Sequence, residues 1–441
     1  MATVVLSAAS PALPALQELS AQVDAALRAG GERDVTTFAL ATTKLAYCQG
    51  EFDCWVKTPG LCRAHDAEDA IVRAIHDAER LVLLDAVTFG GHSYVLKRAQ
   101  DRLICLISPF FEKRAALTHH EGRYDRMPSQ FALGWMPAAD TAAAETWAAL
   151  ADANALSMLA PHVGAAVFDD ASRAAWPEMI RAALASTAVP GASISRRQPL
   201  REALFEAARG VAMTAGLAPP RTAALVVGSA KVRGTSVSEN LARALSARLE
   251  QAGVTTVTHF ATEFLRDDHA LATARAVAAA DLFVLVTPLY VDAFPALATH
   301  ALETVAAVRA PSATPARFAT LVNCGFPEPE HTRTALQIGR HFAAAAGYTW
   351  AGGLPLGGGG AINPATPLDA QHGPAEHVKR ALDLAVPSLA RGEAIPLDAI
   401  ERMAASPMPD IAYRLAGDLG WRYQAYKNGL AQAALRSRPL D

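Results

Sequence analysis

Short apolar runs alternate along the chain with segments of helical period. This is the pattern of a parallel sheet buried on both faces and wound through helices. In the first half, residues 4–7, 35–40, 81–85, 130–135 and 165–168 read as strands, and 103–106 as a short extended segment ahead of Pro109. Helical periodicity covers 16–27, closed by Gly30-Gly31, then 67–78, then a long alanine-rich stretch from about Ala142. The rhythm breaks over 186–220, where Pro190-Gly191, Arg196-Arg197 and Pro219-Pro220 surround one helix near 200–215. It restarts with strands at 223–227, 255–260, 282–287, 319–323 and 349–353 and helices at 238–251, 270–280, 334–345 and 377–390. The tail, 395–441, is helical in parts and holds Trp421, Tyr423 and Tyr426.

The two halves repeat each other. Arg80-Leu81-Val82-Leu83-Leu84 lies over Asp281-Leu282-Phe283-Val284-Leu285 at an offset of 201, while the first strands align at 222, Ser7 over Ser229. The difference matches the length of the cysteine-bearing segment 47–66, so the first half reads as the second plus an insertion. One long repeat means duplicated domains rather than a solenoid. The expected organisation is a domain over 1–185, a linker over 186–220, a second domain over 221–391 and a helical C-terminal extension over 392–441.

Composition narrows the class. Of 441 residues, 51% are hydrophobic and 19% charged, enough to build packed cores and too apolar for general disorder. A net charge of −3 with both signs interspersed leaves no footprint for nucleic acid. No apolar run reaches the roughly 18–20 residues of a membrane span. Met1-Ala2-Thr3-Val4-Val5-Leu6 lacks the basic start of a signal peptide and reads as a strand. Five cysteines are too few for a disulfide scaffold, and the expected location is the cytoplasm.

The segment Gly228-Ser229-Ala230-Lys231-Val232-Arg233-Gly234-Thr235-Ser236 joins a strand to a helix. There a doubly wound sheet offers backbone N–H groups and a positive helix end to an anion. The glycines permit a tight turn, Ser229, Thr235 and Ser236 add hydroxyl donors, and Lys231 or Arg233 balances phosphate charge. Two further loops leave the same sheet edge: Thr287-Pro288-Leu289-Tyr290-Val291 and Asn323-Cys324-Gly325-Phe326-Pro327-Glu328. The glycine run 357–360 follows the next strand and either borders the site or is a flexible loop. Together these motifs resemble the NADPH-dependent FMN reductase family. The resemblance implies two tandem flavodoxin-like, doubly wound parallel-sheet α/β domains. It also implies FMN held by Ser229, Lys231, Arg233, Thr235 and Ser236, with Pro288, Leu289, Tyr290, Val291, Cys324 and Gly325 along the ring.

The matching loop of the first half, 7–15, has no glycine and no basic residue, and its two prolines remove N–H donors, so it is not expected to hold a phosphate. Beyond it, Cys48, Cys54 and Cys62 lie in a run that includes Trp55-Val56-Lys57-Thr58-Pro59-Gly60. From about residue 36 to 135, including Val87-Thr88-Phe89-Gly90-Gly91-His92 and Pro109-Phe110-Phe111, this half resembles flavodoxin-family proteins related to iron–sulfur flavoproteins. Where that pattern has a further cysteine this chain has Glu51. Three thiolates and a carboxylate are an unusual cluster set, so no iron–sulfur cluster and no metal site is expected. The leading reading is instead a loop of free thiols with Trp55 as its packing piece, a zinc site completed by His65 being the alternative. Adjacent His119-His120 would point apart, in a solvated or substrate-facing role.

The resemblance implies a flavin-dependent oxidoreductase that takes hydride from NAD(P)H and passes electrons to flavin, quinone or a similar small acceptor. No side chain is singled out as acid or base, because hydride transfer to a bound flavin requires none. The alternative is a non-catalytic flavin-binding electron carrier or interaction protein. The fused pair is expected to act as an intrachain pseudo-dimer or as a homodimer.

Overall fold

A computed structural model describes residues 2–194, 196–211, 218–266, 268–309, 315–406 and 408–441. It divides into a first unit, Met1–Ser195 with Arg414–Asp441, and a second, Arg196–Tyr413. No helix among the described residues is long and apolar enough to cross a membrane.

The first unit is built on β1 (Ala2–Ser7), β2 (Asp34–Ala39), β3 (Arg80–Ala86), β4 (Ile107–Arg114), β5 (Leu117–Gly122), β6 (Ser129–Met136) and β7 (Val163–Asp169). Five of these pair in parallel in the order β2-β1-β3-β6-β7. Alternation along each strand feeds two cores. Val4, Leu6, Leu81 and Leu83 face Ile71, Ile75 and Leu96 on one side. Val5, Val82, Leu84 and Leu133 face Leu16, Leu19, Val23 and Ile180 on the other. The short extended segment expected at 103–106 is a 3-10 turn, Leu103–Leu106. The extended chain begins after it, as an antiparallel hairpin of β4 and β5. Pro109 does not stop that strand, since β4 has a partner on one side only and a missing N–H there is tolerated.

The second unit repeats the plan with β8 (Thr222–Val227), β9 (Thr255–Phe260), β10 (Leu282–Pro288), β11 (Ala316–Asn323) and β12 (Tyr348–Leu356), in the order β9-β8-β10-β11-β12. Numbered within each parallel sheet, both orders are 2-1-3-4-5, the flavodoxin-like winding. The helix expected near 200–215 is Arg197–Ala208; residues 212–215 lie outside the described residues. β12 runs past the expected end at 353, because Gly352 (φ +113°) accommodates a bulge instead of breaking the strand. At the bulge the outer edge is covered by the chain's own backbone: Val211 N–H donates to Trp350 O and Ile395 N–H to Ala351 O.

The repeat has a structural register that differs from the sequence alignment. Isolated bridges Thr88↔Gly91 and Tyr290↔Ala293 mark the same tight turn after β3 and β10, an offset of 202 rather than 201. Ala8 N–H donates to Leu84 O as Gly228 N–H donates to Val286 O, which puts the first strands 220 apart rather than 222. Ala8 thus stands where the second unit has Gly228, and Asp85 where it has Thr287.

Trp55 anchors the cysteine segment to the first core. It is 2% exposed, its Nε1–H is shared between Ile104 O (3.0 Å) and Ile107 O (3.1 Å), and it stacks on Phe52 and meets Trp421 edge-on. Trp55→Ala is expected to destabilise the first unit by about 3–5 kcal/mol, and Trp55→Phe by less. Urea denaturation followed by far-UV circular dichroism measures both; a loss under about 1 kcal/mol for the alanine variant would contradict this role.

Candidate functional site

Parallel winding brings the carboxyl ends of β8, β10 and β11 side by side, and the three loops singled out in the sequence leave from those ends. Residues 228–236 lead into the helix Val237–Gln251, with Ser236 as its N-cap. Gly228 is required there: a Cβ would stand 2.5 Å from Thr287 Oγ1. Gly234 (φ +81°) turns the chain with open space around it. Ser229 is buried and its Oγ accepts the N–H of Lys231 (3.3 Å). Ser236 is buried and makes no side-chain cap bond, while Thr235 Oγ1 donates to Val232 O (2.6 Å).

Two features depart from the expected phosphate cradle. Arg233 turns away: its guanidinium pairs with Glu263 (3.1 Å) and lies over the Phe260 ring. Glu239, in the first helical turn, accepts the Gly234 N–H (2.6 Å) and pairs with Arg243 (3.1 Å). A carboxylate of the chain itself therefore holds one of the loop's anion-binding donors.

After β10, Leu289 N–H donates to Asn323 O (2.9 Å) and Tyr290 bridges Ala293. The two residues between them, Val291 (φ +45°) and Asp292 (φ +58°), are both left-handed, the signature of a type I′ turn. A β-branched valine in that region is a true outlier. Surrounding bonds hold it: Thr334 Oγ1 donates to Asp292 O, and the buried Asp292 carboxylate lies 3.7 Å from His331 Nδ1. The first unit makes the same turn with Phe89 and Gly90.

Cys324 is buried and its N–H donates to Leu356 O (2.8 Å); burial pushes its thiol up, so it stays protonated. Gly325 is exposed with open space above it, and its carbonyl accepts the Tyr413 hydroxyl (2.8 Å). The glycine run is packed against this loop. A Cβ at Gly357 would meet Pro329 N at 2.8 Å and one at Gly359 would meet Asn323 Oδ1 at 3.1 Å.

Sequence reasoning named Asn323 without giving it a role and missed Asn240. The Asn323 amide donates to Thr287 O (3.0 Å) and Ser238 Oγ (2.7 Å), tying β10, β11 and the helix after β8 into one frame. Asn240 donates to the carbonyls of Asn363 (2.9 Å) and Thr366 (2.6 Å) and accepts Leu368 N–H (3.1 Å). A polar residue on the inward stripe of a helix is the signal that points to Asn240.

In the first unit, Cys48 and Cys62 are half-buried and Cys54 is buried. A fourth thiol, Cys105, is buried and lines one cavity with Cys62 and Glu68. Among the described residues no group of three or more His, Cys, Asp or Glu is placed to hold a metal ion. His65 is exposed beside Asp69 (3.4 Å). His119 and His120 alternate along β5: His119 is buried near Ser157, and the half-buried His120 lies between the rings of Trp55 and Phe111.

Residues 222–349 match the family described as NADPH-dependent FMN reductase. No curated relative matches the chain. Solved structures similar to it include an azoreductase from Bacillus anthracis str. Sterne (16% identity, 41% of this chain and 99% of that one, TM-score 0.27). An NAD(P)H:quinone oxidoreductase from Methanothermobacter marburgensis is 13% identical over 39% of this chain and 99% of that one, with a TM-score of 0.29. An FMN-dependent NADH-azoreductase from Bacillus anthracis str. Ames Ancestor, in complex with FMN, is 11% identical over 38% and 99%, with a TM-score of 0.28.

Glu68 supplies a pH test of the first unit. Burial pushes its carboxyl from 4.5 up to about 8 against the attraction of Arg102, with Asp66, Asp69 and Asp101 adding to the rise. The folded chain then keeps a proton that the unfolded chain releases near 4.5, so stability falls as pH climbs from about 4.5 to 8, by at most ~1.4 kcal/mol per pH unit. Glu68→Gln is expected to flatten that slope. Urea midpoints at pH 5 and pH 8 would decide it: equal slopes in both proteins would show that Glu68 is not the group.

Proposed function

We propose that this chain is a flavin-dependent oxidoreductase whose second unit binds FMN and uses NAD(P)H to reduce flavin, quinone or a similar small acceptor. The observation that carries the reading is that Asn323 ties the ends of β10 and β11 to the helix after the 228–236 loop at one sheet edge, within the span 222–349 that matches an FMN reductase family. Fold alone would not license it.

The residues present suit an FMN phosphate and ring. Ser229, Thr235, Ser236 and the N–H groups at the start of the helix Val237–Gln251 would hold the phosphate, with Lys231 supplying charge. Arg233 serves this role only if it leaves Glu263. Pro288, Leu289, Tyr290 and Val291 would line one edge of the ring, and Cys324 and the open Gly325 another. Bound FMN would supply the hydride and electron chemistry, and the chain orients it. The type I′ turn fixes the Tyr290 backbone, and the protonated Cys324 adds an apolar wall rather than a nucleophile.

The first unit supports no second flavin phosphate site. Its loop has only residues 8–13 between strand and helix, and the helix begins at Pro14. At the strand end the buried Asp85 carboxylate accepts the N–H (2.8 Å) and hydroxyl (2.6 Å) of Ser93, and an anion placed nearby would be repelled.

Binding of FMN and of riboflavin to the purified full-length chain, followed by flavin fluorescence, tests the assignment. Thr235→Ala with Ser236→Ala is expected to weaken FMN binding about tenfold or more, roughly 1.4 kcal/mol, and to leave riboflavin nearly unaffected. Glu239→Gln is expected to tighten FMN, because the phosphate no longer competes with a carboxylate for the Gly234 N–H. Loss of flavin absorbance on adding NADPH indicates the reductase; a flavin that stays oxidised indicates the carrier reading. Failure of the chain to take up FMN overturns both.

A further inference from the structure

The first unit contains a cavity of about 240 Å³ whose walls include Gly60, Leu61, Cys62, His65, Glu68 and Cys105. Glu68 is fully buried, and neither of its carboxyl oxygens has a hydrogen-bond partner. A buried acid left without donors is costly to a fold, so it marks a place where chemistry rather than packing sets the residue.

Both thiols line this cavity. The Arg102 guanidinium is held beside them by Asp66 (2.8 Å). The Cys105 Sγ–H donates to the Arg102 carbonyl (3.4 Å). The two sulfurs differ in a useful way. Cys62 is half-buried, so a small molecule entering the cavity can reach its sulfur. Cys105 is 1% exposed and held as the thiol by burial.

We propose that Cys62 and Cys105 form a redox-active thiol pair, served by Glu68, that reacts in this cavity with a small-molecule disulfide. The Cys62 thiolate attacks one sulfur of the external disulfide; a bond forms between Cys62 and that sulfur, and the other half leaves as a thiolate that takes up a proton. Cys105 then gives its proton to the Glu68 carboxylate and attacks the Cys62 sulfur. The second half leaves, and Glu68 returns the proton to it. Two protein thiols are oxidised to one disulfide, and the external disulfide is reduced to two thiols. The groups around Glu68 are Arg102, which favours its carboxylate, and Asp66, Asp69 and Asp101, which oppose it; Cys62, Cys105, His65 and Arg73 share its cavity. The second step therefore accelerates as pH rises through the titration of Glu68.

The test treats reduced full-length protein with oxidised glutathione, then blocks free thiols and maps peptides by mass spectrometry. The wild type is expected to lose two thiols and yield a Cys62–Cys105 linked peptide with no retained glutathione. Cys105→Ser is expected to stop at one glutathione on Cys62, and Cys62→Ser to leave Cys105 unmodified. Glu68→Gln is expected to form the Cys62 adduct at the wild-type rate but to convert it about tenfold more slowly, without the rise between about pH 6 and 9. Wild-type protein that keeps both thiols, or links either to another cysteine, overturns the pair. That result depends on no variant folding. An unchanged pH profile in Glu68→Gln overturns the role of Glu68.

Discussion

Parallel pairing is the constraint on which the rest of each unit depends. A parallel strand cannot return through a tight hairpin, so every strand hands the chain to a crossover and all strands end at the same edge. Neighbouring strands lie about 4.8 Å apart, so the ends of β8, β10 and β11 fall within roughly 10 Å of one another whatever their loops contain. That proximity lets the single Asn323 side chain bond to β10 and to the helix after β8 at once. The requirement also explains the apolar runs: a sheet covered on both faces leaves no polar side to β3 or β10 except at their ends.

The duplicated frame has been given opposite chemistry at equivalent places. Gly228 makes room for the Thr287 side chain at the end of β10. In the first unit Ala8 and Asp85 replace that couple, and the carboxylate is saturated by the start of the helix Tyr94–Gln100. The turn after the central strand is kept in both units, left-handed residues included. Topology is therefore shared while the electrostatics at the strand ends differ, and it is the electrostatics that decide what each edge attracts.

Much of this was legible in the sequence because burial leaves a strong one-dimensional trace. The central strands were found to within a residue or two from their apolar runs. Trp55 reads as the packing piece of the cysteine segment, and it is buried there. What escaped depended on distant partners. The hairpin of β4 and β5 was hidden because Pro109 and the two histidines look like punctuation, whereas His120 is packed between rings that are remote in sequence. The turning of Arg233 toward Glu263, and the capture of the Gly234 N–H by Glu239, arise from competition among charges that spacing does not reveal. Cys105 lies 43 positions beyond Cys62 and was not grouped with it, although the fold brings both to one cavity.

The bulge at Gly352 bears on where the second unit can be cut. The edge of β12 is closed by Val211 from before the family-matched span and by Ile395 from after it, while that span ends at 349, two residues into the strand. A fragment trimmed to 222–349 would turn β11, an eight-residue run buried throughout, into a bare border. Unsealed apolar borders of that kind recruit further copies rather than remain single. The stretch needed to close this sheet edge is thus set by backbone sealing, and it is wider at both ends than the stretch recognisable by family resemblance.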